Sequence, residues 1–417
     1  MASFDVSRFF EKDRKERIDI VAKFAKLTKQ EIQTLESSGG ISFEQADKMV
    51  ENAIGTFSFP LGIATNFTIN KKEYLVPMVI EEPSVIAAAS KAAKIAKIRG
   101  GFVMQNDESY SIGQIQVVNV DVEHAMQKIL KSSKKILELA NSKSNTLSKI
   151  GKGAKEVSCK EIKADSGPML IVELLIDVGD AMGANVTNTM CEGVAPLIEK
   201  ITNGKVILRI LSNYSTRRMV RGTATFEKEA VGGQEAVDNI ILAYQFAAYD
   251  EYRAVTHNKG VMNGIIAVAN ATGQDTRAIE AAAHAYAAKS GRYTSLTQWN
   301  KDMDGNLVGK IEIPMSVGIV GGIINVHPTA KICTKILGAE SASELACIIG
   351  AAGLAQNFSA LRALASEGIQ KGHMRLHARN IAAAAGATHE QIDTLVKKMT
   401  AEGNISINRA RDLLEEI

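Results

Sequence analysis

Between residues 113 and 212 the chain switches hydrophobic period in an order that few architectures satisfy. Gln114 to Asp121 reads as a half-buried strand, and Val122 to Ala140 carries apolar residues at helical spacing. Strand-like runs follow near 156–163 and 169–178, then a helix from Asp180 to Thr202 and a last strand from Lys205 to Leu211. This β-α-β-β-α-β order is that of a split, ferredoxin-like unit. About 100 residues is an ordinary size for one domain, so the stretch predicts a unit inserted into a larger one.

The flanking sequence predicts mostly helix. Residues 12–36 place Ile18, Val21, Phe24, Ala25 and Leu27 near helical spacing, and a second helix ends at Gly55. Tyr74 to Ile80 reads as a strand and Ser84 to Lys97 as a helix, with Pro83 at its first turn. Further helices are expected at 229–249, 275–289 and 341–366, a strand at 311–320, and an exposed loop from Gly291 to Gly309. After Gly368 come three short helices, 376–387, 388–400 and 406–416. The expected fold is α+β: a large, mostly helical central domain (1–110 and 213–367), an inserted ferredoxin-like βαββαβ small domain (111–212), and a C-terminal helical flap (368–417). Glycines at 368 and 372 tolerate hinge angles, so the flap is expected either to move as a lid or to form a fixed bundle.

Composition excludes several classes. Net charge is only +3 over 417 residues, which gives nucleic-acid binding no electrostatic support. Cys159, Cys191, Cys333 and Cys347 show no C-x-x-C or Cys/His ligand spacing, so no metal site is expected. The start, Met1-Ala2-Ser3-Phe4-Asp5, has no apolar signal core, and no run reads as long enough to span a membrane. The expectation is a cytoplasmic protein with no membrane partner.

Four charged residues stand among glycines and small residues: Glu82 in Glu81-Glu82-Pro83, Lys259 in Asn258-Lys259-Gly260, Asp275 in Gly273-Gln274-Asp275, and His373 in Gly372-His373-Met374. Each has a bland reading alone. Lys259 suits an exposed loop, Asp275 an N-cap, Glu82 a helix N-terminus, and His373 a structural role. Together, a lysine, two carboxylates and a histidine can polarise a carbonyl and move protons, without a covalent nucleophile.

No G-x-G-x-x-G follows a strand, so a Rossmann half is not supported. Gly318 to Gly322 fits a tight backbone crossing as well as a phosphate loop. The stronger cofactor candidate is Asp180-Ala181-Met182-Gly183-Ala184-Asn185, where an acid is expected to open a helix whose free N–H groups suit a diphosphate. Between Lys128 and Lys163 ten lysines face three glutamates, either a solvated surface or a site for a phosphorylated ligand.

In this order along nearly the whole chain, these motifs, with Glu51 to Gly55 and Pro60 to Asn66, resemble the 3-hydroxy-3-methylglutaryl-CoA (HMG-CoA) reductase family, in its class II bacterial soluble form. The resemblance implies two successive hydride transfers from a nicotinamide cofactor, reducing the HMG-CoA thioester through mevaldehyde to mevalonate and free CoA. It assigns Lys259 to the carbonyl oxygen, Asp275 to tuning that lysine, Glu82 to proton donation, and His373 to protonating the CoA thiolate. It places Ser84, Arg253 and Asn263 on the acyl group, and an arginine fork suits a carboxylate. The large domain would bind CoA and form a homodimer, possibly a higher oligomer, with active sites at the subunit interface. The small domain would bind the dinucleotide through Asp180, Met182, Gly183, Ala184 and Asn185.

At the position where NADH-preferring relatives carry an acid, this chain has Ser144 beside Lys143. That pair suits a ribose 2′-phosphate and implies NADPH, with NADH possible. An N-terminal arginine that contacts CoA in some relatives falls on Phe10, with Lys12 or Arg14 as substitutes. The alternatives are another CoA-thioester enzyme, such as a transferase or lyase, or a non-enzymatic CoA- or nucleotide-binding module. A lyase lacks its metal cluster or nucleophilic cysteine here, and a module has no use for all four charged residues.

Overall fold

The structure, a computed structural model, describes residues 8–37, 40–366 and 378–416. Among these residues ten strands make two sheets: β1 (Leu61–Ile69), β2 (Lys72–Val79), β3 (Phe102–Asn106), β4 (Tyr110–Val118), β5 (Gly153–Ala164), β6 (Gly167–Asp177), β7 (Lys205–Ser212), β8 (Met219–Phe226), β9 (Thr297–Lys301) and β10 (Leu307–Pro314). The four-stranded sheet has the order β5-β6-β4-β7, all neighbours antiparallel. It is the expected split arrangement, built from residues 110–212. The predicted 122–140 helix is two, Val122–Lys131 and Ser133–Asn141, followed by the short Asn145–Lys149.

The larger unit is less helical than expected. It contains a six-stranded mixed sheet, β2-β1-β3-β8-β10-β9. The β1–β2 hairpin turns on Asn70 and Lys71, both at positive φ (49° and 69°), the geometry that matches strand twist in a two-residue turn. The loop expected over Gly291–Gly309 contains β9, whose Thr297 and Trp299 point into the core while Gln298 and Asn300 face out. Trp299 packs against Phe226 and Phe358, with ring centroids 5.7 and 6.0 Å away, and burial on that scale overrides the turn-rich flanks.

Two helices form the spine of the larger unit, Glu251–Ala271 and Ala342–Ala365. The second is long and apolar enough by composition to cross a membrane, contrary to expectation, yet 83% of its apolar window is buried inside the protein. The two approach closely because glycine faces backbone. A Cβ on Gly264 would lie 2.5 Å from the Ala352 carbonyl oxygen, and one on Gly353 would lie 2.7 Å from Ile265. C-terminally, residues 378–384, His389–Glu402 and Ile407–Glu415 pack as three helices around Ala382, Leu395, Met399 and Leu413.

Candidate active site

Lys259 does not lie in a loop. It sits mid-way along the Glu251–Ala271 helix, four residues before Asn263, so both side chains share one face. Gly260 and Gly264 weaken helix propensity here, and tertiary packing supplies what propensity lacks. The face meets the turn that leaves β2. There Glu82 Oε2 accepts from Lys259 Nζ at 2.6 Å and from Asn263 Nδ2 at 3.2 Å. The cation is not buried in the single chain, where its side chain is 61% exposed.

Ser84 follows on the same turn with a left-handed backbone, φ 75°, and its helix starts at Val85, one residue later than expected. Its hydroxyl does not cap that helix. The Oγ is buried and, among the described residues, without a partner. Arg253, a turn and a half before Lys259, is half-buried, and its guanidinium makes no hydrogen bond or ion pair among the described residues. The Arg253 guanidinium on the Lys259 helix and the Ser84 hydroxyl on the Glu82 turn are thus polar groups without a filled set of partners among the described residues.

Asp275 does cap a helix. Its Oδ1 accepts from Ala278 N at 3.1 Å and faces Arg277 at 3.4 Å. It makes no bond to Lys259 among the described residues, and both of these contacts fall on Oδ1, leaving Oδ2. His373, with the Gly368 and Gly372 hinge, lies outside the described residues.

Behind the Lys259 helix is a buried polar network. His257 Nε2 is 2.7 Å from Thr297 Oγ1, which donates to Asn357 Oδ1 at 2.8 Å, and Trp299 Nε1 donates to the same oxygen at 2.9 Å. With Thr297 donating to Asn357, His257 is the Nε2–H donor, and its Nδ1 is left unpaired. Burial, with the Arg253 charge nearby, pushes the imidazole down to about 3, so it is neutral. Sequence reasoning missed this network because its members are far apart in the chain.

The second candidate site departs from expectation at Asp180. The helix begins at Ala184, not Asp180, because Gly183 turns the chain at φ 99°. Asp180 instead accepts from Ala342 N at 2.8 Å. Gly183 leaves the first turn of Ala184–Thr202 without a side-chain cap, so its N–H groups remain open to an anion. Met182 precedes that turn and Asn185 lies in it, exposed. Ser144 caps the short Asn145–Lys149 helix, accepting from Leu147 N at 3.4 Å. The Lys143 stem lies across Gly193 of the same long helix, about 15 Å along its axis from the open turn. Most nearby lysines are solvated or locally paired, as Lys152 is with Asp177 and Lys160 with Glu173. At the N-terminus Phe10 is 79% exposed, and Arg14 is engaged by the carbonyls of Leu35 and Glu36.

Gly318 proves to be a backbone crossing: a Cβ there would lie 2.4 Å from Met182 N. Gln274, next to Asp275, grips the same glycine through both its N–H and its carbonyl, at 2.9 and 3.0 Å. Arg218 bonds to residues 181–182 and 316–317 and was not legible in the sequence.

Residues 13–378 match the family model described as hydroxymethylglutaryl-coenzyme A reductase. A 3-hydroxy-3-methylglutaryl-coenzyme A reductase of Archaeoglobus fulgidus is 52% identical over 410 residues, covering 98% of this chain and 94% of its own. A probable 3-hydroxy-3-methylglutaryl-coenzyme A reductase of Borreliella burgdorferi is 39% identical over 342 residues, covering 80% of this chain and 77% of its own. Among solved structures, the enzyme of Streptococcus pneumoniae is similar at a TM-score of 0.85 with 40% identity, covering 99% of both chains. The class II enzyme of the same organism bound to NADPH in open conformations is similar at 0.82, with 40% identity, covering 97% of this chain and 99% of that one.

Proposed function

Because the chain belongs to the hydroxymethylglutaryl-coenzyme A reductase family, we propose that its catalysis runs through the Glu82–Lys259–Asn263 cluster, with Lys259 meeting the substrate carbonyl. The activity is NAD(P)H-dependent reduction of HMG-CoA to mevalonate with release of CoA. One observation carries the assignment: a 2.6 Å ion pair on a rigid helix, shared with an amide and left open on one side.

When bound, the nicotinamide cofactor supplies the hydride. As the thioester carbon is reduced, negative charge gathers on its oxygen, and the Lys259 ammonium stabilises that charge where water is excluded. Glu82, already hydrogen-bonded to that ammonium, is placed to pass a proton to the same oxygen. Asp275 keeps Oδ2 for Lys259 and would orient it. Arg253 takes the acyl carboxylate with its unpaired fork, and Ser84 and Asn263 bond the remaining oxygens. His373 protonates the departing CoA thiolate.

The cofactor fits the open turn at Gly183 to Asn185, where backbone N–H groups and a helix dipole suit a diphosphate. Ser144 and Lys143, with no acid at that position, favour a 2′-phosphate and hence NADPH. The relative described above as bound to NADPH supports this choice. The units 111–212 and 1–110 with 213–367 then act as dinucleotide and CoA domains, and 368–417 as a flap that brings His373.

A homodimer with shared active sites is supported by an exposed apolar face. Leu242, Phe246, Tyr249, Tyr252 and Val255 are 52–89% exposed, and the last two lie on the Lys259 helix at the spacing that leads to Lys259 itself. Four free cysteines and no disulfide fit a reducing cytoplasm. The test is NADPH absorbance on adding HMG-CoA. Oxidation with mevalonate formed is expected; no consumption of either nicotinamide would overturn the reading.

A further inference from the structure

We infer that Arg218 is a positioning residue for the cofactor: its guanidinium pins residues 181–182, and with them the first turn of the Ala184–Thr202 helix, to the 316–317 segment of the larger unit. The inference rests on the reading that the cofactor diphosphate binds at that turn.

Arg218 lies on the connection between β7 and β8 and is only 4% exposed. Its Nη1 donates to the Met182 carbonyl at 2.7 Å and to Ser316 Oγ at 3.1 Å. Its Nη2 donates to the Val317 carbonyl at 2.7 Å and the Ala181 carbonyl at 3.3 Å. No carboxylate is hydrogen-bonded to it among the described residues. Burying a cation against neutral carbonyls is expensive, and an apolar side chain would fill the space without that cost. What the guanidinium provides is geometry. One planar group satisfies two acceptors on each of two crossing segments, which a lysine cannot do.

Among the described residues, the crossing is otherwise held by backbone. Ile319 N donates to the Asp180 carbonyl at 2.9 Å, Ala181 pairs with Val320, and Gly318 lets the chains touch. From the other side Gln274 holds Gly318, one residue from Asp275. The 316–320 segment is therefore the spacer between the cofactor turn and the catalytic turn. Its register against residues 181–182 sets where the nicotinamide end lies relative to Lys259.

The test compares Arg218→Lys, Gly318→Ala and Asn185→Glu with the wild-type enzyme. NADPH affinity is read by fluorescence, HMG-CoA affinity by calorimetry, and thermal stability without ligands. Arg218→Lys keeps the charge but loses the fork, and Gly318→Ala pushes residues 181–182 away without touching the arginine. Both are expected to weaken NADPH about tenfold or more, with HMG-CoA affinity within about twofold of wild type. Wild-type NADPH affinity in both variants, or an equal loss for both ligands alongside lower stability, would overturn the positioning role. Asn185→Glu places a carboxylate on the exposed first turn and tests the site itself. If it binds NADPH normally, the cofactor site is wrong; if it alone fails, the site stands and the role of Arg218 does not.

Discussion

Two glycines one turn apart on the Lys259 helix should respond to alanine in opposite directions. At Gly264 an added Cβ would stand 2.5 Å from the Ala352 carbonyl oxygen and 2.8 Å from Gln356 Cβ. The first is backbone and cannot rotate away, so the two spine helices must separate by about 0.9 Å to reach an ordinary contact. Such overpacking costs about 1–3 kcal/mol, against a gain of about 1 kcal/mol in helix propensity. Gly264→Ala should therefore lose up to about 2 kcal/mol. At Gly260 the new Cβ meets only Ala360 Cβ, at 3.6 Å. Gly260→Ala should gain about 0.5–1 kcal/mol. The assay is urea unfolding followed by fluorescence of Trp299, the single tryptophan, which lies in this core. Displacing Lys259 and Asn263 from Glu82 by close to an ångström should also lower kcat of Gly264→Ala by up to about 100-fold. Equal stability in the two variants would refute close backbone approach as the reason for Gly264.

The pH dependence of stability should carry a His257 component. Its folded pKa, about 3, lies below the unfolded value near 6.5. Between those values the unfolded chain binds the extra proton, so stability falls as pH drops, by up to about 1.4 kcal/mol per pH unit. His257→Gln should flatten the slope between about pH 4 and 6; an unchanged slope would mean the imidazole is not held neutral. Ser144→Asp should move preference from NADPH towards NADH, read as the ratio of kcat/KM, and an unchanged ratio would remove the argument about that position. His373→Gln should slow HMG-CoA reduction while sparing free mevaldehyde; equal losses on both would count against thiolate protonation.

The small unit was legible because β4 alternates along its whole length and the helices carry apolar faces, so there local pattern and tertiary burial agree. The Lys259 helix was not. Asn258, Gly260, Asn263 and Gly264 all argue against helix locally, and what favours it is contact with Ala352 and Gln356 nearly 90 residues away. β9 was lost for the same reason, since its strand character comes from Trp299 packing on Phe358. Asp180 was misplaced because acid-then-small reads as an N-cap, whereas Gly183 delays the helix by its positive φ. At the candidate site, Glu82 and Lys259 were legible as residue types and Asn263 only through the family resemblance, and the three are brought together here. Arg218 was invisible because Arg217-Arg218 looks like ordinary surface charge, and only the fold reveals the carbonyls around it.

In the proposed mechanism the Lys259 ammonium carries the charge that develops on the substrate oxygen. Reduction of free mevaldehyde by Lys259→Ala, with binding of HMG-CoA measured in parallel, tests it without involving thiolate release. Binding should persist while both reductions fall by about 100-fold or more. Mevaldehyde reduction near the wild-type rate would contradict it.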